Sequence, residues 1–294
     1  MNLLAIAVLA ALVAAAPQRV HAEPPPRLKI ISTSPDLKSL VEAVGGERVE
    51  VESLGLPEQD PHAIEVKPAQ LARVKQAAML VKVGLDHEPW LVRLPAFAGP
   101  VVDASKSVRL LQTETPRLRT ERKAHSHAYG NTHYWLDPKN AWPITASILA
   151  ALSDLSPADR STFSANRDAF LSRLDERLAS WEKTLAPYRG ARVVVVHDSW
   201  SYLAERFGFV VVAAAEPNPG IPPSPGELAA LLGRLRSSDV RLLIADPHSD
   251  PSLVRQIADK GGVRAVTLLP SGRDYLGLFE ENVQRLSQAL QSGQ

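Results

Sequence analysis

The sequence predicts an α/β protein built as two lobes of parallel β-sheet with a long helix between them. Three observations carry this. Short apolar runs alternate with amphipathic stretches in both halves of the chain, and strands alternating with helices build parallel sheets. Runs such as Val193–Val196 are apolar without interruption, as expected of strands covered on both faces. Between the halves lies a helical pattern far longer than the rest, over residues 156–187.

In the first half, 28–33 reads as a strand and 35–44 as a helix that stops at Gly45-Gly46. A second strand spans 48–54, a helix 70–76, and further strands 79–83 and 100–104, with a short helix near 89–94. A helix over 143–155 precedes the long one. Ser156-Pro157-Ala158-Asp159 then combines an N-cap serine, a proline at the first helical position and an acidic residue in the first turn. Phe163, Phe170, Leu174, Leu178, Trp181 and Leu185 follow as one apolar stripe opposite a charged face, until Pro187 and Gly190 end it. Roughly thirty residues at 1.5 Å each reach about 45 Å, enough for a stiff spine along both lobes. In the second half, strands over 192–196, 210–214, 241–245 and 263–268 alternate with helices over 200–207, 225–236, 251–260 and 275–290. The expected organisation is a leader at 1–22, an N-terminal lobe at 23–155, the spine at 156–187 and a C-terminal lobe at 188–294.

The leader is read from an unbroken apolar run over residues 3–16, followed by Pro17 and the small-x-small pattern Val20-His21-Ala22. About 20 apolar residues are needed to span a bilayer, so the run reads as a secretory signal cut after Ala22. The composition bounds the rest. In 294 residues, 45% are hydrophobic and 22% charged, as in a globular protein. Lys+Arg 33 against Asp+Glu 32 gives a net charge of +1, which gives no footing for nucleic acid. There are no cysteines, which excludes disulfides, thiolate metal sites, Cys nucleophiles and lipidation at an N-terminal Cys. An exported chain without that anchor point is expected to be soluble in the periplasm. Any transition metal must be held by His, Asp or Glu.

Four such residues sit where ligands gather in open α/β sheets, beyond the carboxyl ends of strands. His197 follows Arg192–Val196, and His62 lies in the loop after the second strand. His133 ends a polar, basic segment at 112–132 that reads as a mobile loop, and Asp274 follows the last strand. Three imidazoles and a carboxylate would fill a tetrahedron around Zn²⁺, two from each lobe, with the metal in the cleft between them. A hydrogen-bonded structural role explains any one of these histidines equally well, so the reading rests on the four together.

These residues also stand in motifs. Asp60-Pro61-His62-x-x-Glu65-x-x-Pro68, His133-Tyr-Trp-Leu-Asp137-Pro138-x-Asn140-Ala141, His197-Asp198-Ser-Trp-x-Tyr202 and Asp274-Tyr275 occur in this order. Glu216-Pro217-x-Pro219-Gly220-Ile221 leads toward the helix at 225. The set resembles the zinc and manganese solute-binding proteins of ABC transporters, the cluster A-I metal-binding family, over essentially the whole mature chain. The resemblance implies two Rossmann-like lobes joined by a rigid helix and His62, His133, His197 and Asp274 as ligands. It implies a Zn²⁺ cargo handed to an ABC permease and its ATPase. A third histidine, where manganese members often carry Glu, favours Zn²⁺ over Mn²⁺, and nitrogen-rich coordination argues the same way, with Cu²⁺ competing in vitro.

Other readings bound this one. A manganese or iron carrier of the same family is the nearest alternative. A secreted zinc hydrolase is a further one, since His62-Ala-Ile-Glu65 has an H-x-x-E spacing, but four protein ligands would close the position that catalysis keeps open for water. No H-E-x-x-H or G-x-S-x-G motif is present, so no enzyme activity is expected. Glu65, Asp137 and Asp198 are candidates to orient the imidazoles, and Tyr134 and Trp135 to wall the site or to pack the core. His87 reads as cleft lining or surface and not as a ligand. His125 and His127 are either exposed histidines or a weak auxiliary zinc site, and Asp246-x-His248-x-Asp250 is either a solvated turn or a weak metal patch. A monomer is expected, with a periplasmic metallochaperone as a further candidate partner.

Overall fold

The computed structural model describes residues 26–94, 96–111, 130–216 and 220–291. The expected leader and most of the 112–132 segment, with His125 and His127, lie outside the described residues. Among the described residues, eight strands form two sheets. The first has the order β2-β1-β3-β4, from Val49–Ser53, Leu28–Ser32, Met79–Lys82 and Val101–Asp103. The second has the order β6-β5-β7-β8, from Val210–Ala214, Arg192–Val195, Val240–Ala245 and Arg264–Thr267. All pairings are parallel. The two halves therefore repeat one topology. In each, the first strand lies between the second and third, which opens a crevice at its carboxyl end.

The strands bury both faces. Val193, Val195, Leu242 and Ile244 enter a large central cluster, while Val194, Val196, Leu243 and Ala245 enter a second cluster with Leu231, Leu235 and Ile257. The two-residue period of a strand explains this division. The central cluster also holds Ile30, Met79 and Val81 of the first sheet, so one apolar core serves both lobes.

The helices are α1 (Pro35–Gly45), α2 (Pro68–Gln76), α3 (Ala141–Leu155), α4 (Arg160–Leu185), α5 (Ser201–Phe207), α6 (Pro225–Ser237), α7 (Pro251–Gly261) and α8 (Tyr275–Gln291). Several start in one way, with a short polar residue before a proline. Ser34 accepts from the Leu37 N–H at 3.2 Å, Ser224 and Glu227 form a capping box, and Asp250 accepts from the Ser252 N–H at 2.8 Å. These caps satisfy amides that have no partner within the helix.

The long helix has 26 residues, about 39 Å at the α-helical rise, and a 3-10 turn at each end. Phe163, Phe170, Leu174, Leu178, Trp181 and Leu185 are all buried, together with Leu171. It packs on α1 and α3 from the N-terminal half and on α8 from the C-terminal half. Its start differs from the expectation in one respect. The Ser156 hydroxyl donates to the Asp159 carboxylate at 2.8 Å rather than accepting from the helix backbone. Among the described residues, no helix is long and apolar enough to cross a membrane.

Direct hydrogen bonds also tie the halves together. Arg206 grips Asp137 through two bonds of 2.7 and 2.8 Å, the bidentate geometry in which such pairs are strongest. The Trp135 indole donates to the Pro270 carbonyl at 2.8 Å, and the Tyr275 hydroxyl donates to the Trp135 carbonyl at 2.8 Å. Asp36, at the start of α1, accepts from the Ser271 hydroxyl at 2.6 Å and the Gly272 N–H at 3.1 Å.

Burial pushes the Asp36 carboxyl up to about 7, against the lowering effect of those two bonds. A raised carboxyl pKa means that the native state favours the protonated form. The stability this group contributes is greatest below its ordinary value near 3.8 and is lost as pH rises through about 7. Asp36→Asn should therefore gain melting temperature relative to the parent at pH 8, with the gain shrinking at pH 5. Calorimetric scans of both proteins at the two pH values check this, and a gain that is larger at pH 5 would contradict it.

Candidate metal centre

The loops at the carboxyl ends of both sheets face one pocket, and imidazoles converge there. Among the described residues, His62, His133 and His197 each offer a ligand atom, and these atoms all lie within 4.8 Å of one another. The ring centroids of His62 lie 5.7 Å from His133 and 5.8 Å from His197, and those of His133 and His197 are 5.3 Å apart.

Each ring is delivered by a local structure written in the sequence. His62 sits in a short 3-10 turn opened by Asp60-Pro61, whose Asp60 carboxylate accepts from the His62 N–H at 2.9 Å. The buried Trp90 fixes that turn by donating to the Pro61 carbonyl at 2.9 Å. His133 precedes the turn Tyr134–Leu136, and the next turn starts at Asp137-Pro138 with Asp137 capping the Lys139 N–H at 2.9 Å. His197 emerges two residues after the end of β5, the inner strand at which the order of the second sheet reverses.

The Nδ1 atoms are occupied. That of His62 meets the His87 carbonyl at 3.0 Å, that of His133 the Asn131 side-chain oxygen at 3.2 Å, and that of His197 the Glu216 carboxylate at 3.2 Å. Asn131 is held in turn, because its oxygen also accepts from the His133 N–H and its amide donates to the Asp198 carbonyl. Acceptors at Nδ1 fix the tautomer and leave Nε2 to coordinate, as in metal-binding histidines generally. The Nε2 atoms of His62 and His197 are sealed from solvent. Burial pulls the His197 pKa down, but the hydrogen bond to Glu216 and the charges of Asp246, Glu216 and Asp198 outweigh it, and the net shift is upward.

Asp274 stands apart from this cluster. It is exposed at the start of α8, where its carboxylate accepts from the N–H groups of Leu276 and Gly277 at 3.3 and 3.1 Å. It lines a separate groove with Ser39, Arg173 and Glu280 rather than the imidazole pocket. An aspartate just before a helix has amides to cap within its own next turn, and here that local demand prevails. The contribution of the halves is accordingly unequal. Of the expected ligands, the C-terminal half brings only His197.

The partners at Nδ1 are other groups than the expected orienting residues. Glu65 is exposed, Asp137 is held by Arg206, and Asp198 accepts from the Ser201 hydroxyl at 2.8 Å. The orienting groups are instead Asn131, Glu216 and the His87 carbonyl. Trp135 does wall the pocket, 5.3 Å from the His133 ring, whereas Tyr134 packs in the core with its hydroxyl donating to the Val83 carbonyl at 2.7 Å. The Asp246-to-Asp250 stretch is neither a wholly solvated turn nor one cluster of ligands. Asp246 is buried against the Trp200 indole at 2.8 Å, Asp250 caps α7, and His248 lines the pocket.

His87 stands out. It is 1% exposed, its ring lies 4.4 Å from that of His62 and 5.2 Å from that of His133, and its Nδ1 meets the Thr132 hydroxyl at 2.8 Å. The backbone leading to it is left-handed at three successive residues, Gly84 (φ 83°), Leu85 (φ 56°) and Asp86 (φ 55°). The two non-glycine residues cost about 1–2 kcal/mol each. The buried Glu88 helps hold this loop by accepting from the N–H groups of Val83 and Gly84 and from the Thr33 hydroxyl. Burial raises the Glu88 pKa, against those bonds. The signal available in the sequence was a histidine in the loop after a strand, and it says nothing about which way the ring turns.

Two parallel-sheet lobes closing on buried, oriented imidazoles define a two-lobe α/β protein with a candidate site for a transition-metal ion. The chain belongs to the family described as ZnuA, zinc-uptake complex component A, periplasmic, whose model matches residues 30–289. It is 26% identical to the high-affinity zinc uptake system protein ZnuA of Paracoccus denitrificans, over 96% of each chain. It is 26% identical to the manganese-binding lipoprotein MntA of Halalkalibacterium halodurans, over 87% of this chain and 86% of that one. Among solved structures, a deletion mutant of ZnuA with zinc bound superposes with a TM-score of 0.78 at 26% identity, covering 90% of this chain and 98% of that one. The expected fold class and family resemblance are thus borne out.

Glu216→Gln should lower the His197 pKa, since the carboxylate raises it, and should weaken zinc binding by about 10–100-fold. Imidazole NMR titration and a chelator competition assay measure the two effects.

Proposed function

We propose that this chain captures Zn²⁺ in the periplasm and delivers it to an ABC permease powered by its ATPase. The observation that carries the reading is the convergence of His62, His133 and His197 on one centre, with Nδ1 of each ring engaged by a fixed acceptor. Neutral imidazole suits Zn²⁺, whereas Mn²⁺ favours oxygen donors. The manganese-binding relative keeps a manganese cargo as the second reading, and the nitrogen-only donors weigh against it. The leader at 1–22 and the absence of cysteine support a soluble form, in contrast to the lipoproteins among the relatives. The reading takes the chain as a monomeric carrier with no catalytic role, loaded from solution or by a metallochaperone.

The ion is cargo here, so retention at neutral pH and release under control are what the site has to achieve. Buried rings held by second partners supply the first. The shared core and the direct bonds between halves argue that loading does not require a wide hinge closure. Small-angle scattering of metal-free and zinc-loaded protein should give superimposable curves, and a fall in radius of gyration typical of a closing hinge would refute this part.

Zinc titration tests the site. The parent should bind one ion per chain, and His197→Ala should lose nearly all zinc retained through purification. Protons compete for the same nitrogens. Imidazoles ordinarily take up protons near ~6.5, so zinc affinity should fall steeply between about pH 7.5 and 5.5. A titration that is flat across this range would exclude an imidazole site.

A further inference from the structure

We propose that His87 supplies the fourth nitrogen to the metal, in the place where the motif resemblance puts Asp274. The assignment rests on the reading of the imidazole cluster as a metal site and specifies its full donor set. The His62–His87 ring pair is the tightest imidazole contact among the described residues, at 4.4 Å, and His87 also lies 5.2 Å from His133. The edge between His62 and His133 is thus shared by two triangles of rings, one completed by His197 and the other by His87. The Thr132 hydroxyl occupies Nδ1 of His87, which leaves coordination to the buried Nε2. Trp135 backs the ring at 5.0 Å and limits its rotation away from the pocket.

A tetrahedral ZnN₄ centre with bonds of about 2.0–2.1 Å needs its nitrogens about 3.4 Å apart. The His62, His133 and His197 ligand atoms already lie within 4.8 Å of one another, so a bound ion draws the rings inward. His87 stands outside that trio and joins by a further movement toward His197, starting from contact with the other two rings. The left-handed run that presents it fits this role, since strained backbone concentrates where a side chain has to be held in one place. Four neutral imidazoles favour Zn²⁺, Co²⁺, Ni²⁺ and Cu²⁺ and disfavour Mn²⁺. His87 is therefore also a residue that selects the cargo.

The test compares the parent, His87→Gln, Asp274→Asn and Thr132→Val. Zinc-edge X-ray absorption of the loaded parent should report four nitrogen donors with imidazole scattering, and the cobalt-substituted parent should show intense tetrahedral ligand-field bands. His87→Gln should drop to three imidazoles and weaken zinc binding on the order of 10–100-fold, while Asp274→Asn stays within twofold of the parent. Thr132→Val keeps the ring but removes its Nδ1 partner, so an intermediate loss is expected even if the glutamine variant folds poorly. A zinc-loaded parent with three imidazoles and an oxygen donor, matched in affinity by both His87→Gln and Thr132→Val, overturns the assignment and leaves the metal site standing. A parent that binds no zinc overturns the site itself and this assignment with it.

Discussion

Both sheets share one apolar core, and this constraint governs the rest of the molecule. Because Ile30, Met79 and Val81 of one sheet enter the same cluster as Val193, Val195 and Ile244 of the other, the two sets of strand ends meet across a cleft of set width. Burial of this kind, at about 25 cal/mol per Å², is what holds α4 against both halves. The Arg206–Asp137 pair and the Trp135, Tyr275 and Asp36 bonds add direction to that attraction. Side chains from distant parts of the sequence can then reach one point.

The electrostatics of the pocket follow from this packing. Burial costs an imidazolium its hydration, yet Glu216 keeps the His197 pKa up on balance. The same carboxylate orients the ring and offsets part of the charge of a bound cation. Where a neutral partner is enough, the protein uses one: a carbonyl for His62, a carboxamide for His133 and a hydroxyl for His87. Among these rings only His197 has an ionisable group at Nδ1, which limits the charge buried around the pocket.

Much of this was legible in the sequence because it depends on local periodicity. The apolar run Val193–Val196 and the stripe from Phe163 to Leu185 state their own burial. The Asp60-Pro61 and Asp137-Pro138 turns announce where His62 and His133 will stand. What could not be read depends on contacts between distant segments. Asp137 is nearest His133 in sequence, but Arg206, far along the chain, takes it. Glu216 reaches His197 only because β6 lies beside β5. Asp274 follows a strand as His197 does, but proximity to a strand end does not tell whether a carboxylate turns to the cleft or to the next helix. His87 was legible as cleft lining, which it is, but the direction of its ring was not. Its position depends on three consecutive left-handed residues, a conformation that Leu85 and Asp86 do not advertise.

That same run shapes which sequences this loop can tolerate. At Gly84 the space is closed, since a Cβ would meet the Asp103 carboxylate, and any side chain there would strain the backbone as well. Leu85 and Asp86 have the opposite character. Glycine or asparagine at either would relieve torsional cost, whereas a valine or isoleucine would be the harshest replacement. In a saturation library of this chain, 84–86 should stand out as a short tract where the usual ranking of conservative exchanges is inverted, with backbone handedness rather than hydrophobicity deciding survival.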